Sequence, residues 1–275
     1  MPLCLRVFGL AICISASAVV ASAQTPELDF SVVNLPTTRP LKQFQSNFHL
    51  THRFLTNLRA GSLADNASNI FGLDSGAVVG LEYRFAFSNA FQFAIHRTTA
   101  DKTLQFSAKF DTVQQSDTLP VSVSFIASVA GNQNFGWIES ESHSHVDGAH
   151  EHKEPSLTAV VSRTFGERAA VYAVPMFVHN SLKNEDDSHR DTFALGFGTR
   201  VQVRDSMFLV AEVTPRLAGY TPGRAEFGFG IEKRAGGHTF QLTFSNSTGT
   251  TFGQIARGGL PTTMYLGFNL GRKFL

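Results

Sequence analysis

The chain has 275 residues, with 23 Lys+Arg against 22 Asp+Glu and a formal net charge of +1, a balance that gives no reason to expect nucleic acid or an acidic partner. Charged residues make up 16%, below the roughly 25% of ordinary soluble domains, yet hydrophobic residues reach only 43%, which excludes a bundle of membrane helices. Both cysteines, Cys4 and Cys13, fall in the first 23 residues, so the remainder excludes a disulfide, a thiolate metal site and a cysteine nucleophile.

Residues 1–23 predict an export signal. Arg6 is the only charge, Val7 to Val20 form the apolar core, and Ala21, Ser22 and Ala23 make a small-residue cleavage site. The run is short for a membrane anchor, and Ile12 stands before Cys13 where a lipoprotein needs a small residue. Residues 24–41, polar with three prolines, read as an extended N-terminal segment ahead of a barrel domain over 42–275.

The first strand is expected at about Lys42–Phe54. Phe44, Phe48, Leu50 and Phe54 share one face; His49, Thr51 and Arg53 share the other. Leu55–Ser75 reads as a long loop. From Ala77 to Phe110 three strands alternate with period two. Leu81, Phe85, Phe93, Ile95 and Phe106 lie on the apolar face; Glu82, Arg84, His96, Gln105 and Lys109 lie on the polar one. Further strands are expected at about Val121–Ala130, Leu157–Phe165, Ala169–His179, Phe193–Val203 and Met207–Leu217, then around Phe229, Leu242 and Phe268. Gly131–Pro155, Asn180–Asp191 and Asn246–Pro261 read as loops. Ala169–His179 is ambiguous, because Tyr172, Val174, Met176 and Val178 compete with Val171 and Phe177 for the apolar face.

In a soluble β protein the polar face looks outward. Here the pattern recurs in nearly every segment behind an export signal, and no later window reads as a membrane helix. The 26 Phe against one Trp and four Tyr suit a lipid-facing surface. The expectation is therefore inverted: an all-β chain forming a transmembrane antiparallel β-barrel of about 12 strands, apolar side to lipid. Long connections largely alternate with tight ones, which would put both termini in the periplasm.

The blocks Asn47–Phe54, Ile70–Gly76 and His96–Lys102, with their HRF, FGLD and HRT…DK motifs, resemble an uncharacterised family of bacterial membrane-bound β-barrel proteins. The resemblance runs from about Asn47 to the C-terminus. It implies a barrel in the outer envelope and brings no established activity or catalytic residues.

The polar face predicts a lumen lined by His49, Arg53, Glu82, Arg84, His96, Gln105, Lys109 and Arg200. One reading is a lumen that passes or binds a small polar solute. The other is a filled interior of mixed charges bonding across strands, giving a plugged structural or surface-binding barrel. An outer-membrane hydrolase is a third reading by fold analogy alone, since no spacing selects a nucleophile beside these histidines; the chain reads as a non-enzyme. Expected partners are the lipid bilayer, the barrel-assembly machinery and a small polar solute. The expected location is the bacterial outer membrane, after cleavage near Ala23.

No cofactor is expected apart from weak Zn²⁺ or Cu²⁺ capture in one loop. Glu139–Glu154 holds His143, His145, His150 and His152 among carboxylates, a composition that suits imidazole ligation and also suits a plain solvated loop. Metal ligation needs neutral imidazole, so affinity should fall as pH drops through about 6.5. Isothermal titration of Zn²⁺ into the protein with and without Ser140–Lys153 checks this. Equal uptake by the two would remove the loop as a site.

Overall fold

Antiparallel pairing dominates the computed structural model, which describes residues 29–136, 153–166, 168–183, 189–219 and 223–274. The strands are β1 (Ser46–Phe54), β2 (Ala77–Ala86), β3 (Phe91–Thr98), β4 (Leu104–Val113), β5 (Ser122–Gly131), β6 (Lys153–Phe165) and β7 (Ala169–Lys183). They continue as β8 (His189–Arg204), β9 (Met207–Thr214), β10 (Arg216–Ala218), β11 (Glu226–Ala235), β12 (His238–Ser245) and β13 (Tyr265–Phe274). β9 and β10 both pair with β8, and the Pro215 carbonyl between them accepts from the Leu195 N–H, so they are two pieces of one stave. The result is a closed 12-strand antiparallel barrel. β1 pairs with β13 and β8 with β9, so the described sheet has no free edge. Closure is what a sheet needs where no water can pair its backbone.

The sheet is inverted relative to a water-soluble one. In β3, Gln92, Ala94, His96 and Thr98 are buried while Phe91, Phe93 and Ile95 are exposed. Phe125, Leu157, Phe177, Phe197, Phe229 and Leu242 are likewise exposed on other strands. Arg53, Arg200 and Glu232 are fully buried. Such an apolar belt would be an aggregation liability in water and is at home in lipid. Substituting Phe93 with Arg should therefore cost about 2–4 kcal/mol near the midplane, and substituting Gln105 with Arg much less. Folding titrations into lipid vesicles measure both; equal costs would contradict the facing.

Several elements differ from the sequence expectation. β1 starts at Ser46 rather than Lys42, because Phe44 sits at φ 64°, outside strand backbone. The loop expected at Asn180–Asp191 is largely ladder: Leu182 pairs with Arg190 and Lys183 with His189, beyond a register shift at Asn180. Polar composition reads as loop, but ladder hydrogen bonds are indifferent to side-chain polarity. On β7, Tyr172, Val174, Met176 and Val178 are buried inside, while Val171 and Phe177 face out. An apolar inner wall is out of place around water, and its reason lies in what fills the barrel.

Two insertions occupy the interior, one from each end. From the end with the short turns, residues 29–38 enter as a tight hairpin rather than an extended segment. Ser31 bridges Pro36, Val32 N–H donates to Leu35 O, and Thr37 N–H donates to Phe30 O. From the opposite end comes the β12–β13 connection. The chain has two α-helices among its described residues, α1 (Leu63–Ser68) in an exposed loop and α2 (Phe252–Arg257). α2 lies within the connection read as loop, and Phe252, Ile255 and Ala256 are buried. Val32, Val33 and Leu35 of the hairpin, the α2 residues and the inner face of β7 form one apolar cluster. Burying this cluster offsets the ordering of both insertions at about 25 cal/mol per Å² of apolar surface.

Candidate functional site

A hairpin in a lumen must satisfy its own backbone, and here the polar wall does so. The Glu212 carboxylate on β9 accepts the N–H groups of Val33, Asn34 and Leu35 at 2.9, 2.8 and 3.0 Å. Arg200 on β8 donates to Ser31 O at 2.7 Å, Gln241 on β12 to Val32 O at 2.7 Å, and Asn269 on β13 to Val33 O at 2.9 Å. Arg53 on β1 donates to the Asn34 side chain at 2.9 Å and to Asn269 at 2.7 Å; Asn34 in turn donates to Glu226 on β11 at 3.1 Å. Arg200 and Arg234 also pair with Glu232, at 2.8 and 2.6 Å. At the base of the hairpin, burial alone would raise the Asp29 carboxyl, but Arg200, Arg234 and Arg39 around it pull it below its ordinary value.

On the other side of the hairpin the lumen is not filled. A cavity with about 60 Å³ of water-accessible space separates it from the inner wall of β1 to β5. His49, Glu82, Arg84, His96, Gln105 and Lys109 all line it. The charges there neutralise one another: Arg84 lies 2.5 Å from Glu82, and Lys109 lies 2.8 Å from Asp111. His96 meets Thr250 at 3.3 Å, and Gln105 accepts the Phe252 N–H at 3.0 Å, which ties the α2 connection to the wall. The cavity thus has a floor from the hairpin, a roof from α2 and a polar wall.

The eight lumen residues read from the sequence divide by position. Arg53 and Arg200 hold the hairpin; Gln105 and His96 touch the α2 connection; His49, Glu82, Arg84 and Lys109 face the cavity. His143, His145, His150 and His152 lie outside the described residues, as does the export signal. Among the described residues no group of three or more His, Asp or Glu is placed to hold a metal ion. The hairpin contacts of Glu212, Gln241, Asn269 and Asn34 were not legible as a set. One signal pointed to them: the apolar inner face of β7 demanded an apolar filler, and the segment Val32–Leu35 supplies one.

The family model described as membrane bound beta barrel domain (DUF5777) matches residues 29–274. The chain belongs to that family. The DUF5777 match begins at Asp29, so it takes in the hairpin as well as the strands. No curated protein matches the chain. Among solved structures, the NanC porin is similar with a TM-score of 0.52 at 7% identity, covering 83% of this chain and 99% of that one. The COG4313 outer membrane channel from Pseudomonas putida F1 is similar with a TM-score of 0.52 at 11% identity, covering 86% and 97%. At such identities the likeness is one of fold. It places this DUF5777 chain with membrane barrels of one closed sheet, and its site must be argued from its own residues.

Proposed function

We propose that this membrane-bound barrel works in a bacterial outer membrane, where it binds and passes a small polar solute. The cavity between the hairpin and the β1–β5 wall carries the reading: its wall is polar, both insertions border it, and it is lined from five neighbouring strands. The long connections would face outward and the short turns the periplasm, as in barrels generally. A solute entering past the α2 connection would then reach the cavity first and the hairpin second. The hairpin is held by hydrogen bonds to the polar wall and by its apolar cluster, so its release is a discrete event that opens the path. The porin and channel barrels that share the fold favour a passive role over chemistry.

The test is conductance of the purified protein in a planar bilayer, alongside a variant lacking residues 29–40. Sparse openings in the full chain and continuous conductance in the variant are expected. A variant that folds and inserts yet stays silent would refute passage.

A further inference from the structure

We infer that the lumen cavity takes a small neutral polyol of about glycerol's size; this rests on the reading of the lumen as a solute site. The argument starts from what the cavity leaves unsatisfied. Thr51 Oγ1 and Gln92 Oε1 have no hydrogen-bond partner, although Thr51 is 4% and Gln92 1% exposed. Both residues line the cavity. Buried polar atoms without partners are uncommon and call for an explanation by a missing group. The His49 ring and the Ser107 hydroxyl line the same space and have no hydrogen-bond partner among the described residues. Thr51, Gln92 and Ser107 carry no charge, and the four together offer both donors and acceptors.

The charged groups nearby are already engaged. Glu82 and Arg84 bind each other. Lys109 is shared between Asp111 and the Arg39 carbonyl, and Asp111 also receives Gln92 Nε2 and Ser124 Oγ at 2.7 and 2.6 Å. An anion or a cation entering the cavity would have to break these pairs, whereas a neutral hydroxylated molecule would not. Val33, Pro36, Ile126, Phe252 and Ile255 add apolar patches to this lining, which suit the C–H faces of a polyol. The space of about 60 Å³ is several times the roughly 10–15 Å³ that admits one water, and so suits a molecule of a few heavy atoms.

The probes are glycerol, lactate and 3-amino-1,2-propanediol, which match in size and differ in charge. Saturation-transfer NMR on the full protein in detergent micelles reads their binding. Glycerol is expected to show transfer and the two charged probes little. The near-isosteric pair T51V and Q92L, combined, should cut the glycerol signal about fivefold or more, since each removes one hydrogen bond to the ligand, Q92L together with the bond from Gln92 to Asp111. Heat-modifiable migration on gels confirms that the double variant is folded, and Ser107→Ala serves as a second, milder lesion should it fail to fold. Stronger transfer to either charged probe, no transfer to glycerol, or an equal signal in the folded variants would overturn the inference. These outcomes are separate from the conductance result: a silent barrel that still binds glycerol refutes passage alone, and a conducting barrel that ignores glycerol refutes the polyol alone.

Discussion

Replacing Glu212 with Ala is expected to raise the open probability of the barrel about tenfold or more. Glu212 accepts three consecutive N–H groups at the hairpin tip. Hydrogen bonds to a charged acceptor contribute about 1.5–3 kcal/mol each. Losing three weakens docking by several kcal/mol, on the order of 10³-fold in the docked-to-released equilibrium. The released hairpin finds water for its backbone, whereas the docked hairpin in the variant leaves three buried donors without partners. Glu212→Gln keeps a side-chain acceptor but loses the charge, so its conductance should fall between the wild type and Glu212→Ala. Single-channel recordings order the three proteins. The same conductance in all three would show that the hairpin does not occlude the path.

Tying the hairpin down should reverse that effect. Val33 Cγ1 lies 3.2 Å from where a β-carbon on Gly228 would sit. That spacing suits a disulfide between Val33→Cys and Gly228→Cys, and residues 24–275 contain no other thiol to compete. In the Glu212→Ala background, the oxidised double-cysteine protein is expected to be nearly silent and to conduct again after reduction. Each single cysteine should be indifferent to redox state. The effect is large because the crosslink makes release of the tip impossible rather than merely costly. Redox-independent conductance in a protein with the bond verified by mass spectrometry would place the solute path elsewhere.

The local alternation determined the barrel. Phe91, Phe93 and Ile95 against Gln92, Ala94 and His96 give period two, and period two is a property of strand backbone that no tertiary context alters. Facing followed from composition, because lipid accommodates exposed phenyl rings such as Phe93, Phe125, Phe177 and Phe229. His49, Glu82, Arg84 and Lys109 came to one wall because β1 to β4 pair in sequence, with His49 opposite Glu82 and Gln92 opposite Lys109. Neighbouring staves leave little freedom there.

What the sequence left undetermined was the interior. The hairpin at residues 29–38 touches β8, β9, β11, β12 and β13, which lie some 170 to 240 positions further along the chain, and no local pattern encodes such a contact. Val32-Val33-Asn34-Leu35 has too few residues to show a period. Arg53 and Arg200 read equally well as solute ligands and as anchors, since an inward arginine has the same sequence signature in both roles. The β7 residues Tyr172, Val174 and Met176 looked like a conflict for the same reason: their partners are on the hairpin and α2, not on a neighbouring strand. Strand order arises from hydrogen bonding between segments adjacent in the chain and is written locally. The filling of the barrel arises from contacts between its two ends, and only the closed tertiary structure brings those together.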